Sequence, residues 1–447
     1  MFQPRGNIRP YLLKRAIICL IALILFAITI PTQAVGLLPN PNVLLIFADD
    51  LRPVLGAYGD PVARTPNIDR LARDGTKFTR AYCQFPLCNP SRASFLSGKR
   101  PATTRVIDNS TNPRTRLPGI AFLPEYFKAQ GYYTARIGKI EHNAWPNVVR
   151  WNLAENGISL TEEVTNQTRN MAGWKVSDLP EEKTPEGYAA RRALEMLEQS
   201  ADRTFFIGVG FRRPHRPLIA PKKYFDMYKL DEIALPDAAL VDDGIPLDQK
   251  REVIRAYYAC VSFIDAQIGM LLDELERLRL RQKTIVVLVS DHGVDLGERN
   301  RFVRKQSLHE NVVRVPLILS GPGVPCGLSL SQLVELVDVY PTLAELCKLP
   351  QPAGMEGLSF VPVLQNPDFS WKTAAFTDNE AGENPSKSIR TDKYRYTSFE
   401  DGRESLFDFS LSLNETVDLA KSPENKDLLK EMNKLLKQGW QAALPSH

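Results

Sequence analysis

Short apolar runs rich in β-branched residues recur along this chain, and each of them ends abruptly in polar residues. NVLLIFA at 42–48 and TIVVLVS at 284–290 are two such runs, and segments with helical periodicity lie between them. Strands that are apolar on both faces are typical of a parallel sheet covered by helices on both sides. The pattern therefore predicts an α/β fold with a central, mostly parallel sheet flanked by helices.

Charged residues and histidines follow four of the predicted strands directly. They are Asp49 and Asp50 after the first run, Lys139 and His142 after YYTARI, His215 after FFIGVGF, and Asp291 and His292 after TIVVLVS. One polar cluster at a strand end is as compatible with simple strand termination as with a function. Ligands of open α/β sheets bind outside the carboxyl ends of the strands, so four clusters with complementary chemistry favour one shared site.

Two long helices are predicted, one on each side of FFIGVGF, the third of these runs. Thr184 as N-cap, followed by Pro185, predicts a helix that extends to Gln199. A second helix is predicted from about Leu247 through Arg279.

A domain boundary is predicted near Asn366, in the stretch NPDF. It would separate a large domain of residues 35–366 from a small C-terminal α+β subdomain of residues 367–447. In that subdomain, SIRTDKYRYTSF, a turn at Asp401-Gly402 and ESLFDF predict antiparallel strands, and a terminal helix is predicted over 425–438.

The first 34 residues have the layout of a secretory signal peptide. Four basic residues precede the apolar run AIICLIALILFAITI, and PTQA ends in the small residue Ala34. The run is shorter than the ~20 residues of a spanning helix, so we expect cleavage near Ala34 rather than a stable membrane anchor. The mature chain is therefore predicted to be secreted or periplasmic. The same four basic residues account for the formal net charge of +4, which leaves nothing to indicate nucleic-acid binding.

An odd number of cysteines follows the signal peptide: Cys83, Cys88, Cys260, Cys326 and Cys347. In an oxidising compartment, at least one of them must be unpaired or chemically altered. Cys88 precedes Pro90, which suits the first turn of a helix that Gly98 can end. The helix N-terminus and Arg92 would lower the pKa of this thiol and favour an anionic oxygen ligand. These features alone leave open both a cysteine nucleophile and a buried structural cysteine.

The pentapeptide CNPSR resembles the signature of type I sulfatases, in which the cysteine is oxidised during export to the aldehyde formylglycine. Further segments that resemble this family occur in the expected order: NVLLIFADDLRPVLGAYGD, TPNIDRLARDGTKFTRAY, GKIEH, RRPHRP, SDHGVDLGE, RKQSLHENVVRVPLIL and LFDFSLSLNETVDLA. They cover nearly all of residues 40–440 and are most similar to the iduronate-2-sulfatase group. The resemblance implies an alkaline-phosphatase-like fold, a sulfatase catalytic domain over 35–366, and maturation by a formylglycine-generating enzyme.

A calcium site is expected from both the residues and the resemblance. Asp49, Asp50 and Asp291 form a set of hard oxygen ligands suited to a divalent cation such as Ca²⁺. The resemblance adds Cys88 and His292 to the metal site, although imidazole is not a preferred Ca²⁺ ligand. The ion would neutralise the sulfate and orient the nucleophile, which is the hydrated aldehyde made from Cys88.

The resemblance also implies roles for the other site residues, with Arg92 belonging to the recognition core. Lys139 and Lys305 would hold sulfate oxygens. His142 would lie against the nucleophile and accept a proton as sulfate is expelled. His215 would protonate the departing sugar oxygen, a general-acid task that suits a group titrating near neutrality.

Two features depart from the family pattern. Arg213 stands where many relatives carry lysine, and its planar guanidinium would suit a bidentate contact with a substrate carboxylate. The segment 143–177 matches no known pattern and is expected to select the substrate.

Three functions remain compatible with the sequence. Basic tracts such as RRPHR and ERNRFVRK fit hydrolysis of a sulfated, uronate-containing or otherwise anionic saccharide, although they also fit a solvated rim. The alternatives are a phosphodiester or phosphonate monoester hydrolase of the same superfamily, and a secreted glycan-binding protein without catalysis.

Overall fold

The structure is a computed structural model that describes residues 1–2, 40–142, 145, 148–158, 173–381, 384–412 and 414–445. Two compact units make up the chain, Met1–Asn40 and Pro41–His447, and the elements below belong to the second. Its strands are β1 (Asn42–Asp49), β2 (Thr76–Tyr82), β3 (Tyr133–Gly138), β4 (Leu153–Glu155), β5 (Trp174–Ser177), β6 (Phe205–Pro214), β7 (Leu218–Pro221), β8 (Thr284–Ser290), β9 (Asp295–Leu296), β10 (Phe302–Arg304), β11 (Arg314–Ser320), β12 (Leu328–Leu330), β13 (Val334–Glu335), β14 (Ala374–Asn379), β15 (Ser386–Thr391), β16 (Tyr394–Phe399) and β17 (Glu404–Asp408).

The helices include both long helices that the sequence predicts. They are α1 (Pro66–Arg73), α2 (Cys88–Ser97), α3 (Pro101–Thr104), α4 (Pro113–Arg116), α5 (Leu123–Ala129), α6 (Pro185–Gln199), α7 (Lys222–Phe225), α8 (Leu247–Arg277), α9 (Glu310–Val313), α10 (Val339–Leu346), α11 (Val361–Gln365) and α12 (Lys426–Gln438). The hydroxyl of Thr184 caps α6 by accepting a hydrogen bond from Gly187 N. Helix α8 ends at Arg277 rather than Arg279, where the backbone is left-handed with a φ of 56°.

The central sheet has the strand order β12-β2-β11-β8-β1-β6-β3-β4, with β13 also paired to β2. Its neighbouring strands are parallel, except that β11 is antiparallel to both β2 and β8. The prediction of a mostly parallel α/β sheet is therefore confirmed. A buried strand of either direction is uniformly apolar, which explains why the sequence does not indicate the reversal at β11.

Alternate residues of the central strands face two separate hydrophobic cores. Leu44 and Ile46 belong to a core that includes residues of α6 and α8. Val43 and Phe47 belong to a core that includes residues of α2, α5 and α10. Because helices cover both faces, β1 and β8 are continuous apolar runs.

The carboxyl ends of β3, β6, β1 and β8 lie side by side. Ala48 pairs with Phe211 of β6 and with Ser290 of β8, so the residues after these strands meet at one edge of the sheet. Gly138 ends β3 with a φ of 76°, and a Cβ atom there would lie 2.1 Å from the carbonyl oxygen of Gly210. Glycine permits this close approach, which holds the backbone at Lys139 against β6.

The C-terminal sheet is antiparallel and has the order β14-β15-β16-β17. Strands β15, β16 and β17 occupy the predicted segments, and Gly402, with a φ of 85°, lies in the predicted turn. Met432 of α12 packs in the core of this sheet, as expected for the predicted terminal helix. The sequence pattern does not indicate β14, and the domain boundary near Asn366 stays a prediction.

A buried ionic cluster joins the start of the C-terminal sheet to the rest of the fold. Lys372 Nζ lies 2.8 Å from Glu335 Oε2 and 2.6 Å from Asp338 Oδ1. Arg100 donates two hydrogen bonds to the same Glu335 carboxylate. Burial would raise the pKa of Glu335, but the charges of Arg100 and Lys372 outweigh it and lower that pKa.

Lys372→Ala is expected to lower the free energy of unfolding by about 3 kcal/mol, because the buried Asp338 would lose its cation and Glu335 would keep only Arg100. Urea unfolding followed by tryptophan fluorescence measures the change. Lys393→Ala is the control, since Lys393 is 53% exposed and pairs with Asp408 at the surface, where a loss below about 0.5 kcal/mol is expected. Equal effects of the two substitutions would contradict a stabilising role for the cluster.

The five cysteines that follow the predicted signal peptide are free thiols, and Cys326 alone among them is exposed. Within the described part of the chain, no helix is both long enough and apolar enough to cross a membrane. The predicted signal peptide and its cleavage site near Ala34 lie outside the described residues, apart from Met1 and Phe2. Much of the segment 143–177 also lies outside them.

Candidate active site

Helix α2 places Cys88 at its N-terminus, as the sequence predicts. The extended residue Leu87 precedes the helix, and Gly98 ends it with a φ of 65°. Every residue of α2 is buried. Asn109 supports the first turn, because its Oδ1 accepts a hydrogen bond from Asn89 N over 3.1 Å. The positive end of the helix dipole therefore lies beside the Cys88 thiol.

Three buried carboxylates meet next to this thiol. Oxygen atoms of Asp49, Asp50 and Asp291 lie within 4.8 Å of one another, and Asp50 N donates to Asp291 Oδ1 over 3.1 Å. Asp50 has a left-handed backbone with a φ of 64°. Such a conformation is uncommon in residues other than glycine and is frequent at functional sites.

The chemistry of these donors fits a hard divalent cation. Burial raises the pKa of Asp291, although Arg92 opposes the shift. Carboxylate oxygens are the ligands that Ca²⁺ prefers. Cys88 Sγ and a ring nitrogen of His292 lie within 4.8 Å of Asp50 oxygen as well, which puts all five predicted metal ligands in one place.

Arg92 holds the acidic cluster in position. Its Nε donates to Asp291 Oδ2 over 2.8 Å, and its Nη2 donates to Asp49 Oδ1 over 3.1 Å. Its Nη1 donates to the carbonyl oxygens of Lys139 and Ile140. The side chain is only 1% exposed, so its guanidinium orients the carboxylates and does not face a substrate.

The two predicted sulfate-binding lysines both contact the site. Lys139 forms an ion pair with Asp49. Lys305 Nζ lies 2.9 Å from Cys88 Sγ and 3.0 Å from Asp50 Oδ1. Burial would lower the pKa of Lys305, but the charges of Asp50 and Cys88 outweigh it and raise that pKa. A fixed ammonium group at this distance can stabilise an oxyanion beside residue 88.

The loop that carries Lys305 has an unusual backbone. Four of its residues other than glycine have positive φ angles: Arg299 (57°), Asn300 (53°), Val303 (48°) and Gln306 (63°). The left-handed region is especially unfavourable for a β-branched residue such as Val303. Backbone strain of this kind clusters at ligand sites, where the surrounding structure enforces it. Arg301 contributes here, because its Nη2 donates to the carbonyl oxygen of Lys305 over 3.0 Å.

Three histidines surround the site at different depths. His292 is fully buried, with Nε2 3.3 Å from Cys88 Sγ and Nδ1 3.0 Å from the Gly293 carbonyl oxygen. His142 is partly buried; burial lowers its pKa, while the adjacent Cys88 partly offsets this. His215 is 29% exposed, and its Nε2 lies 4.0 Å from Asp50 Oδ2. Burial would lower the pKa of His215, but Asp50 and Asp49 outweigh it and raise that pKa.

The Cys88 thiol differs from the other buried thiols in its acidity. Burial and Asp49 would raise the pKa of Cys88, but Lys305 and His292 outweigh them and hold it well below its usual value. At Cys260, burial raises the pKa to about 12. This contrast disfavours a purely structural role for Cys88.

Arg213 does not have the role that its sequence position suggested. Its Nε donates to the Ile219 carbonyl oxygen and its Nη1 to the His215 carbonyl oxygen, each over 3.1 Å. The residue is only 8% exposed. Arg213 therefore holds the loop that carries His215, and the expectation that it contacts a substrate carboxylate is wrong.

Two supporting residues carry no local signal in the sequence. Tyr257 of α8 donates its hydroxyl hydrogen to the Asp50 carbonyl oxygen over 2.7 Å and accepts a hydrogen bond from Arg52 N. Asn109 supports the first turn of α2, as described above. Both contacts join distant parts of the chain, so only the folded structure reveals them.

A cavity of about 720 Å³ adjoins Lys305 and is rich in basic side chains. Arg216, Arg301 and Arg304 line it together with Lys305. The acidic residue in the lining, Asp108, accepts hydrogen bonds from the backbone and hydroxyl groups of Ser110 and Thr111. The cavity beside the nucleophile therefore suits an anionic ligand.

Comparison with known proteins places this chain in one family. The family model "Sulfatase" matches residues 41–349, and the model "N-sulphoglucosamine sulphohydrolase, C-terminal" matches residues 297–442. The chain belongs to the sulfatase family and is a sulfuric ester hydrolase.

Two relatives make the comparison more specific. The chain is 33% identical over 445 residues to a sulfatase of Formosa agariphila. The alignment covers 89% of this chain and 86% of the relative. It is 34% identical over 393 residues to iduronate 2-sulfatase of Homo sapiens, in an alignment that covers 72% of this chain and 71% of the relative.

Solved structures share the same fold. A 2-O GAG sulfatase superimposes with a TM-score of 0.72 at 24% identity, covering 89% of this chain and 91% of that one. The phosphonate monoester hydrolase of Agrobacterium radiobacter gives a TM-score of 0.74 at 19% identity, covering 90% and 96%. The predicted alkaline-phosphatase-like fold is confirmed.

Proposed function

We propose that this protein hydrolyses sulfate esters of anionic, uronate-containing saccharides, with formylglycine at position 88 and Ca²⁺ in the acidic cluster. The observation that carries the proposal is the position of Cys88, at a helix N-terminus between Lys305, His292 and three buried carboxylates. Overall, one water and one ester give an alcohol and inorganic sulfate. Export through the N-terminal signal would bring the chain to the formylglycine-generating enzyme and then to a secreted or periplasmic location.

Asp49, Asp50, Asp291, His292 and residue 88 would hold the calcium ion. When bound, Ca²⁺ supplies positive charge that neutralises the sulfate and lowers the barrier to attack on it. Formylglycine supplies the hydroxyl group of a hydrated aldehyde as nucleophile. The fully buried guanidinium of Arg92 would keep Asp49 and Asp291 in place while the charge on the substrate shifts.

Lys139 and Lys305 would bind the sulfate oxygens. Both ammonium groups already contact carboxylates of the cluster, and Lys305 also touches the atom that the modification replaces. Their low exposure, 12% and 15%, keeps water away and strengthens their attraction for a developing oxyanion.

His142 and His215 would move protons at different atoms. The thiol of Cys88 lies close enough to His142 to perturb its pKa, so His142 would accept a proton from the group at residue 88 as sulfate is expelled. His215 directly follows β6, which pairs with β3, the strand that precedes His142. It is partly exposed and faces Asp50. From there it would protonate the oxygen of the leaving alcohol.

His215→Ala is expected to lower kcat for a sugar sulfate by about 10²- to 10³-fold, but that for nitrophenyl sulfate less than about tenfold. A sugar alkoxide is a poor leaving group and needs the proton, whereas a nitrophenolate leaves without it. Steady-state kinetics on both substrates measure the difference.

His142→Ala is the matched control for this prediction. It should impair both substrates, because proton transfer at residue 88 is needed whatever the leaving group. An equal loss on both substrates for His215→Ala would instead assign His215 to sulfate binding or to structure.

The substrate class is supported by charge and by relatives. Three arginines line the cavity beside Lys305, and they suit carboxylates and sulfates through bidentate hydrogen bonds. One relative is named iduronate 2-sulfatase, and one solved structure is named a 2-O GAG sulfatase. Ion chromatography of sulfate released from a panel of sulfated saccharides, with and without uronates, tests this assignment.

Hydrolysis of phosphonate monoesters is the second candidate. The similarity to the solved phosphonate monoester hydrolase favours it, since both reactions place a tetrahedral anion beside the same kind of nucleophile. Turnover of phenyl phosphonate and nitrophenyl sulfate, measured side by side on one preparation, distinguishes the two. A higher kcat/KM for the phosphonate would replace the sulfatase proposal.

A further inference from the structure

A second cavity adjoins the one beside Lys305. Its volume is about 590 Å³, and it lies between the loop that carries Lys305 and the C-terminal sheet. Arg301, Gln306 and Asn384 line both cavities. An elongated ligand that fills the first cavity can therefore continue into the second without leaving the protein surface.

The charged side chains of the second cavity favour an anionic ligand. Arg301, Arg403 and Lys421 line it from three separate segments. Lys421 is exposed, and within the described part of the chain it makes no side-chain hydrogen bond or ion pair. Two acids also line the cavity, and both are directed toward the protein. Asp418 Oδ1 accepts hydrogen bonds from Leu406 N and Ala420 N, and Glu404 Oε1 accepts them from the Tyr396 hydroxyl group and Asn433 Nδ2. Arg403 pairs with Asp401 and donates to Asn384 Oδ1, and Arg301 donates to the Lys305 carbonyl oxygen, so Lys421 is the lining cation most available to a ligand.

The floor of the second cavity contains polar atoms that lack partners. Asn379 is 2% exposed, and its Oδ1 is buried without a hydrogen-bond partner among the described residues. The Oγ atom of Ser307 is in the same condition. Buried polar atoms are normally paired, so these two atoms of the cavity lining can form hydrogen bonds with the hydroxyl groups of a ligand. Phe399 and Phe407 add the apolar surface that saccharide sites combine with such groups.

We propose that this second cavity binds the sugar units that follow the reacting unit in a sulfated oligosaccharide. The proposal rests on the sulfatase function above and extends it: the natural substrate is an anionic oligosaccharide, and the C-terminal sheet contributes to its recognition. The reacting sugar occupies the cavity beside Lys305, and the next units extend past Arg301 and Asn384. Lys421 and Arg403 contact their anionic groups.

The test compares a disaccharide and a tetrasaccharide prepared from heparin that share one sulfated terminal sugar. For the wild-type protein carrying the aldehyde, kcat/KM should be about tenfold higher for the tetrasaccharide, since each charge-assisted contact at an exposed site contributes modestly. Arg403→Gln combined with Lys421→Gln should abolish this advantage, mainly through KM, and leave disaccharide turnover within about twofold. Both side chains are exposed, so the fold should persist.

Lys283→Gln is the matched control, because Lys283 precedes β8 and lies at the opposite end of that strand from Asp291. Equal kcat/KM for the two lengths in the wild-type protein would overturn the proposal. So would an equal loss on both lengths in the double variant, or no loss at all.

A binding measurement separates this proposal from the proposed reaction. Calorimetry with Cys88→Ala protein should give a tetrasaccharide affinity that falls about tenfold in the double variant at constant ionic strength. If the aldehyde-bearing protein cleaves neither oligosaccharide but this difference persists, the proposed reaction fails and the second cavity stands. If nitrophenyl sulfate is cleaved but the affinities are equal, the cavity proposal fails alone.

Discussion

Cys88→Ala is expected to lower sulfate-ester turnover by at least about 10⁴-fold, because it removes the atom from which the nucleophile is made. The structure places this side chain within contact of Lys305 and His292, so the substitution removes the atom at the centre of the site. Turnover of nitrophenyl sulfate, measured on protein produced with a formylglycine-generating enzyme, gives the ratio. Peptide mass spectrometry of the wild-type protein should find the aldehyde at residue 88.

Cys326→Ala is the matched control for this substitution. Cys326 is an exposed thiol whose Sγ donates a hydrogen bond to the Asp74 carbonyl oxygen, and its loss should change turnover less than about twofold. Undiminished activity of Cys88→Ala would remove the basis of the proposed function. An aldehyde at residue 88 together with saccharide binding but no turnover would favour a glycan-binding protein.

Much of the fold follows from local sequence patterns. The apolar runs that form β1 and β8 are buried on both faces. A strand with one exposed face would instead alternate apolar and polar residues, so the unbroken apolar runs identify these two strands. The start of α6 at Thr184 and Pro185 and the end of α2 at Gly98 are equally local, because each of these residues acts within one turn. The direction of β11 and the presence of β14 are not local properties. Each depends on which strand lies alongside, and the periodicity of a single strand does not contain that information.

The residues of the site were predictable to a similar extent. Strand ends indicated Asp49, Asp50, Asp291 and His292, since parallel strands end at one edge of the sheet. The supporting contacts of Tyr257 were not predictable, because Asp50 and Tyr257 are 207 positions apart. Arg213 shows the opposite failure. Its place beside His215 in the sequence suggested a substrate contact, but the turn directs its guanidinium to backbone carbonyl oxygens.

The geometry of the acidic cluster formed by Asp49, Asp50 and Asp291 predicts a bound divalent cation, whose loss should affect turnover strongly. Three buried carboxylates within 4.8 Å repel one another, and Arg92 is already shared between Asp49 and Asp291. A divalent cation relieves this repulsion, and its hard oxygen ligands favour Ca²⁺ over thiophilic metals. The aldehyde-bearing protein should therefore contain about one divalent ion per chain.

Asp291→Asn is expected to lower both the bound calcium and the turnover of nitrophenyl sulfate, the latter by about 10³-fold. The amide keeps the shape of the side chain but removes the charge, and Arg92 would then lack one of its anionic partners. Inductively coupled plasma mass spectrometry measures the metal on the same samples used for kinetics. Chelation should inactivate the wild-type protein, and Ca²⁺ should restore it where Zn²⁺ does not.

Asp265→Asn is the matched control, because Asp265 is a buried carboxylate whose hydrogen-bond partners lie outside the acidic cluster. Its Oδ1 accepts hydrogen bonds from Asn67 N and Ile68 N. This variant should retain its calcium and most of its activity, even if it unfolds more easily. Active wild-type protein without a stoichiometric divalent ion would contradict the calcium assignment. Loss of activity in Asp291→Asn with calcium fully retained would instead mean that Asp291 acts through Arg92, by holding the guanidinium that positions Asp49.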